Sequence, residues 1–157
     1  MAENSKIQNA TPKVYNDIKF KSLSEVMVYK TLLAEGFSPE YEKYTYLIFE
    51  GFVPSIPFYT GKKFKKKDYR LKKLSAFNTK DERPLDGITY TPDFYFEFNG
   101  KKIIIEVKGF ENDVFPYKFK MFRKYMEEQP DKDDYEIWEI FTKTQLMECI
   151  NRLRQLA

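Results

Sequence analysis

Two apolar runs flanking Asn99-Gly100 constrain this chain more than any other stretch of it. Asn-Gly supplies the two positive-φ residues of a tight two-residue turn, so FYFEF before it and KKIIIEV after it pair as an antiparallel hairpin. With Asn99 and Gly100 as the turn, Phe98 faces Lys101, and counting outward pair by pair brings Asp93 opposite Glu106. Facing residues of an antiparallel pair share one side of the sheet, with Cβ atoms about 5 Å apart. Lys108, two residues beyond Glu106, points to that side as well. Three charged groups thus converge at the open end of an otherwise apolar hairpin.

Two carboxylates held so close raise the proton affinity of one of them unless a cation sits between them. Mg²⁺ suits the place, because it takes one or two carboxylates and keeps several waters; Mn²⁺ accepts the same oxygen ligands. Asp93 and Glu106 are therefore candidate metal ligands, with the Val107 backbone carbonyl as a further donor. Such an ion acidifies water and stabilises charge on a phosphoryl oxygen, and Lys108 can orient the water or hydrogen-bond the developing charge. Each residue also has an ordinary reading. Asp93 follows a proline and suits a turn, Glu106 could be a surface carboxylate, and Lys108 could be its salt-bridge partner. The apolar neighbours III and V around Glu106 weigh against the surface reading.

Composition narrows the chemistry further. The chain has no histidine and a single cysteine, Cys149. Catalytic triads, Cys-His dyads, histidine metal sites, cysteine zinc sites and intramolecular disulfides are thereby excluded. Acid–base work falls to carboxylates, lysines and metal-associated water.

Along the chain, residues 1–13 read as a disordered tail and 14–157 as a single domain with a basic insertion at about 50–88. Ser22 suits an N-cap with Glu25 three residues on, a capping box. A helix follows, with Val26, Tyr29, Leu32 and Leu33 at helical spacing and Gly36 as its stop. Tyr41 to Phe49 reads as one strand. After the hairpin, a helix begins near Pro116 with Phe119, Phe122 and Met126 on one side, then a strand YEIWEIF and a closing amphipathic helix. The order α-β-(insert)-β-β-α-β-α predicts an α/β chain, a mixed sheet with helices on its faces.

Thr91-Pro92-Asp93, twelve intervening residues and then Glu106-Val107-Lys108-Gly109, on a hairpin preceded by the Ser-x-x-Glu helix of FKSLSE, resembles the PD-(D/E)xK nuclease superfamily. The run VKGFENDVFPYKFKMF is similar to small phage-encoded members of it. The resemblance implies a restriction-endonuclease-like core and a Mg²⁺-dependent endonuclease that hydrolyses phosphodiester bonds in DNA, with structure-specific or junction-resolving cleavage among its forms. It also implies that Asp93 and Glu106 ligate the metal, that Lys108 is the catalytic lysine, and that Glu25 is an accessory acid. The lysine-rich insert has no counterpart in that pattern.

Charge is concentrated in one place. Residues 62–73 hold eight basic side chains and one acidic one, while the chain as a whole carries only +3. Lys62, Lys63, Lys65, Lys66, Lys67, Arg70, Lys72 and Lys73 are candidate contacts to a DNA backbone, the alternative being a solvated loop. Lys118, on the helix after the motif, is a further candidate phosphate contact; Tyr117 and Phe119 read as core. The absence of a long apolar run or signal-peptide core predicts a cytoplasmic protein without a membrane partner, in the host cell if phage-encoded. Monomer and homodimer both stay open, as do DNA and RNA. Two other functions compete: an inactive nucleic-acid-binding module of the same fold, and a protein-interaction factor docking through Phe52, Phe58 and Tyr59.

Overall fold

A computed structural model describes residues 13–62, 71–72, 79–109 and 114–156. The chain is a mixed α/β protein that divides into two units, residues 1–46 with 90–157, and residues 47–89. In chain order, β1 (Lys13–Tyr15), β2 (Ile18–Phe20), α1 (Leu23–Ala34) and β3 (Glu40–Tyr41) open the first unit. β4 (Tyr46–Phe49) leads into the second, which holds β5 (Tyr59–Thr60), β6 (Leu71–Lys72) and β7 (Thr79–Asp81), and β8 (Ile88–Tyr90) leads out of it. β9 (Phe94–Phe98), β10 (Lys101–Val107), α2 (Phe115–Glu127), a short 3-10 turn at Lys132–Asp134, β11 (Tyr135–Ile140) and α3 (Lys143–Arg154) complete the first unit.

The first unit is built on a four-stranded sheet in the order β11-β10-β9-β3. Asn99 and Gly100 take φ of 48° and 78°, as a two-residue primed turn requires, and the β9–β10 ladder runs in the expected register from Lys101↔Phe98 to Ile105↔Phe94. β11 lies parallel to β10, with Glu106↔Glu139 and Val107↔Ile140 side by side. A parallel neighbour needs a crossover, and α2 supplies it.

Alternation along the strands divides the sheet into two faces. Phe94, Phe96, Ile103, Ile105 and Val107 pack with Val28, Tyr29 and Leu32 of α1, and with Leu146, Cys149, Ile150 and Leu153 of α3. Each fully buried Leu, Ile or Phe of this layer contributes about 1.5–3 kcal/mol of burial free energy. Cys149 is a packing residue here, and burial pushes its thiol up to about 12. Ile104 and Glu106 belong to the other face, with Tyr135, Ile137 and Glu139 of β11. There α2 and β11 enclose a cleft of about 550 Å³ lined by Phe119, Arg123, Met126, Tyr135, Ile137 and Glu139, among others.

Several local expectations are corrected. Tyr41 to Phe49 is two strands in two sheets, because Glu42 turns the chain with φ of 47°. Lys13 belongs to a strand: β1 and β2 form a hairpin around Asn16-Asp17, both at positive φ. Residues 1–12 lie outside the described residues. Tyr117 is exposed, because it falls on the outer side of α2, away from the buried Phe115, Phe122 and Met126.

The second unit spans the segment read as an insertion. In it β5, β7 and β6 form a small antiparallel sheet, and Phe52 and Leu85 bridge through paired backbone hydrogen bonds of 2.9 and 2.8 Å. Arg83 grips Asp81 with two nitrogens, at 2.9 and 2.7 Å. Phe49, Phe52, Val53, Ile56 and Phe58 are exposed. Among the described residues, no helix is long and apolar enough to cross a membrane.

Candidate active site

Asp93 sits one step past the end of the ladder, in a bend between Pro92 and β9, so it is not itself a strand residue. Its side chain continues the pairing that its backbone leaves off: Oδ2 accepts the Val107 N–H at 2.7 Å. Its backbone carbonyl accepts from the Glu42 N–H at 2.8 Å, which ties the turn after β3 to the same point. The bond to Val107 holds the carboxylate at the end of β10, where the register already places Glu106.

Glu106 is 4% exposed and Asp93 8%. The Lys108 ammonium lies 2.7 Å from Glu106 Oε1 and 3.8 Å from the centre of the Phe115 ring. A cation over a ring face is attracted to it, so α2 helps to fix the lysine. The Lys108 N–H donates to the Ile140 carbonyl at 2.9 Å, extending the β10–β11 pairing by one residue. Glu106 Oε2 is buried without a hydrogen-bond partner among the described residues.

The electrostatics follow from this crowding. Burial, then the Glu106 charge, push the Asp93 carboxyl up to about 8; the Val107 N–H opposes them, Glu25 adds to the rise and Lys108 offsets part of it. A carboxyl that prefers its proton at neutral pH marks a place where a positive charge is wanted.

Glu25 is 6% exposed at the start of α1. Ser22 caps the helix, its Oγ accepting the Glu25 N–H at 3.2 Å. Only that half of the expected capping box forms. The Glu25 carboxylate accepts instead from Ser22 Oγ at 2.9 Å, from the Lys21 N–H at 3.0 Å and from the Tyr41 hydroxyl at 2.7 Å. Burial and this carboxylate push the Tyr41 phenol up. Glu25 is therefore locked in place, within electrostatic reach of Asp93. Lys21 is paired with Glu42; burial pulls its ammonium down, but Glu42, Asp93 and Glu25 leave it above its ordinary value.

Asp93, Glu106, Lys108 and Glu25 are thus brought together in the first unit, with Val107 between Glu106 and Lys108. Lys118 is half-buried on α2, three residues after Phe115. Lys62 is exposed after β5, and Lys72 pairs with Lys80 in the second unit through its backbone. Lys63, Lys65, Lys66, Lys67, Arg70 and Lys73 lie outside the described residues. Sequence reasoning missed Tyr41, Tyr90, Lys21 and Glu139. Glu139 is beside Glu106 only because β11 pairs with β10 in this register, which nothing local announces. Among the described residues, no three acids or cysteines are close enough to hold a metal as a set. A cation that takes one or two carboxylates and keeps its waters does not need a third.

The chain matches no protein-family model, no curated protein and no solved structure.

Proposed function

We propose that the chain is a Mg²⁺-dependent DNA endonuclease with a restriction-endonuclease-like core, acting on branched, nicked or duplex DNA. The observation that carries this reading is the buried Asp93–Glu106 pair with the Lys108 ammonium against it. Burying like charges is costly, and apolar side chains at those places would stabilise the fold better. Asp93 and Glu106 suit Mg²⁺ or Mn²⁺, with the Val107 carbonyl as a further oxygen donor. Glu106 Oε2 carries no hydrogen bond among the described residues, and its two lone pairs can serve a cation and one donor together.

A bound cation of this kind would supply Lewis acidity at the phosphoryl oxygen and lower the pKa of the attacking water. The chain's own groups do the rest. Lys108, steadied by Phe115, is placed to orient that water or to hydrogen-bond the charge that develops on the phosphate. Glu25 acts as an accessory acid, its fixed carboxylate setting the field around Asp93. Lys118 and the basic run near residue 62 contact the nucleic-acid backbone and contribute affinity without sequence readout.

Plasmid cleavage with and without Mg²⁺ tests the reading, alongside Glu106→Ala and Lys108→Ala. Cleavage should require the cation and fall at least 100-fold (~10²) in both variants, while DNA binding persists. Equal cleavage by wild type and both variants rules the proposal out. The exposed Phe49, Phe52, Val53, Ile56 and Phe58 favour a second reading, in which the 47–89 unit docks a protein partner. An absence of salt-dependent DNA binding would favour that one.

A further inference from the structure

Among the described residues, two buried side-chain polar atoms have no hydrogen-bond partner: Tyr90 Oη and Glu106 Oε2. One belongs to a group with a proton to donate, the other to a carboxylate that only accepts. Tyr90 ends β8, three residues before Asp93, and is 6% exposed. Its ring stacks on Phe122 of α2, with centroids 4.5 Å apart and planes at 25°, so packing fixes where the hydroxyl points.

Asp93 Oδ2 receives the Val107 N–H, and Glu106 Oε1 lies against the Lys108 ammonium. Burial first, then the charge of Glu106 and a loose hydrogen-bonding contact with it, push the phenol up, with Asp93 and Glu139 adding to the effect. Neither atom has a partner within full hydrogen-bond geometry, and closing the Tyr90–Glu106 contact satisfies both.

We infer that Tyr90 is the positioning residue of the acid pair, its O–H donating to Glu106 Oε2 and fixing the plane of a carboxylate whose other oxygen Lys108 holds. The contact pairs the two orphaned buried atoms; its consequence for a cation rests on the function proposed above. A carboxylate held at both oxygens presents its remaining lone pairs in one direction, whereas one held only by Lys108 is free to rotate.

Tyr90→Phe keeps the ring and its stacking and removes only the hydroxyl. Glu106→Gln keeps the shape and removes the charge. Thermal melts in EDTA of the wild type, the two single variants and the double variant test the contact. The double variant's shift should differ from the sum of the single shifts by about 2–4 °C. Titration calorimetry with Mg²⁺ tests the positioning role, and Tyr90→Phe should weaken the affinity about tenfold. Additive melting shifts would overturn the contact, and unchanged Mg²⁺ affinity would overturn the positioning role. Non-additive shifts in a wild type that binds no Mg²⁺ would uphold the contact and defeat the cation-dependent function instead.

Discussion

Asp93 ties the stability of the fold to pH. Its carboxyl titrates near 8 in the folded chain against an ordinary value of 3.8. A raised carboxyl contributes most when protonated, so its stabilisation is complete below about pH 4 and is lost as pH rises through about 8. Without a divalent cation, wild type should therefore lose about 3–8 °C of melting temperature relative to Asp93→Asn between about pH 5 and pH 8.5, or roughly 1–3 kcal/mol. Mg²⁺ should restore most of that loss at the higher pH. Parallel melting curves for the two proteins across this range would mean that Asp93 is not under strain from Glu106 and burial. Much of this site was legible beforehand, because the Asn99-Gly100 turn sets its register locally. The bond from Val107 to Asp93 and the neutral Tyr90 beside Glu106 were not, since a side chain that accepts a backbone N–H or meets a ring from another element leaves no trace in spacing.

Helix starts show how one local signal can carry two loads. Thr142 and Gln145 form a complete capping box on α3, and both are exposed. Thr142→Ala should cost about 1 kcal/mol. Ser22 caps α1 with the hydroxyl half of such a box, and that hydroxyl also donates to the buried Glu25 carboxylate. Ser22→Ala should therefore cost about 2–3 kcal/mol, a cap together with a charge-assisted hydrogen bond. Urea denaturation of both variants decides the matter, and equal losses would mean that Glu25 does not depend on Ser22. Both helices could be read from apolar spacing, and α1 from its ends as well. The split of Tyr41 to Phe49 into β3 and β4 could not, because a residue such as Glu42 reaches positive φ only when its surroundings hold it there: its N–H is bound by Asp93, far along the chain.

For the whole molecule, the concentration of eight basic side chains within residues 62–73 has a measurable consequence. Each phosphate neutralised adds about −0.9 to the slope of log K against log salt. Replacing those lysines and Arg70 with glutamine should flatten the slope of DNA binding by about 4–7, while cleavage at low salt and the melting of the first unit change little. An unchanged slope would make the run a solvated loop. The sequence by itself determined the hairpin and its register, the helices and the chemistry open to a chain without histidine, because turns, caps and periodicity act between near neighbours. Only the tertiary structure decided that β11 sets Glu139 beside Glu106, that α2 lays Phe115 under Lys108 and Phe122 against Tyr90, and that residues 47–89 form a unit of their own. Those outcomes depend on which distant surfaces bury each other best, and burial is a property of the assembled chain, not of any stretch of it.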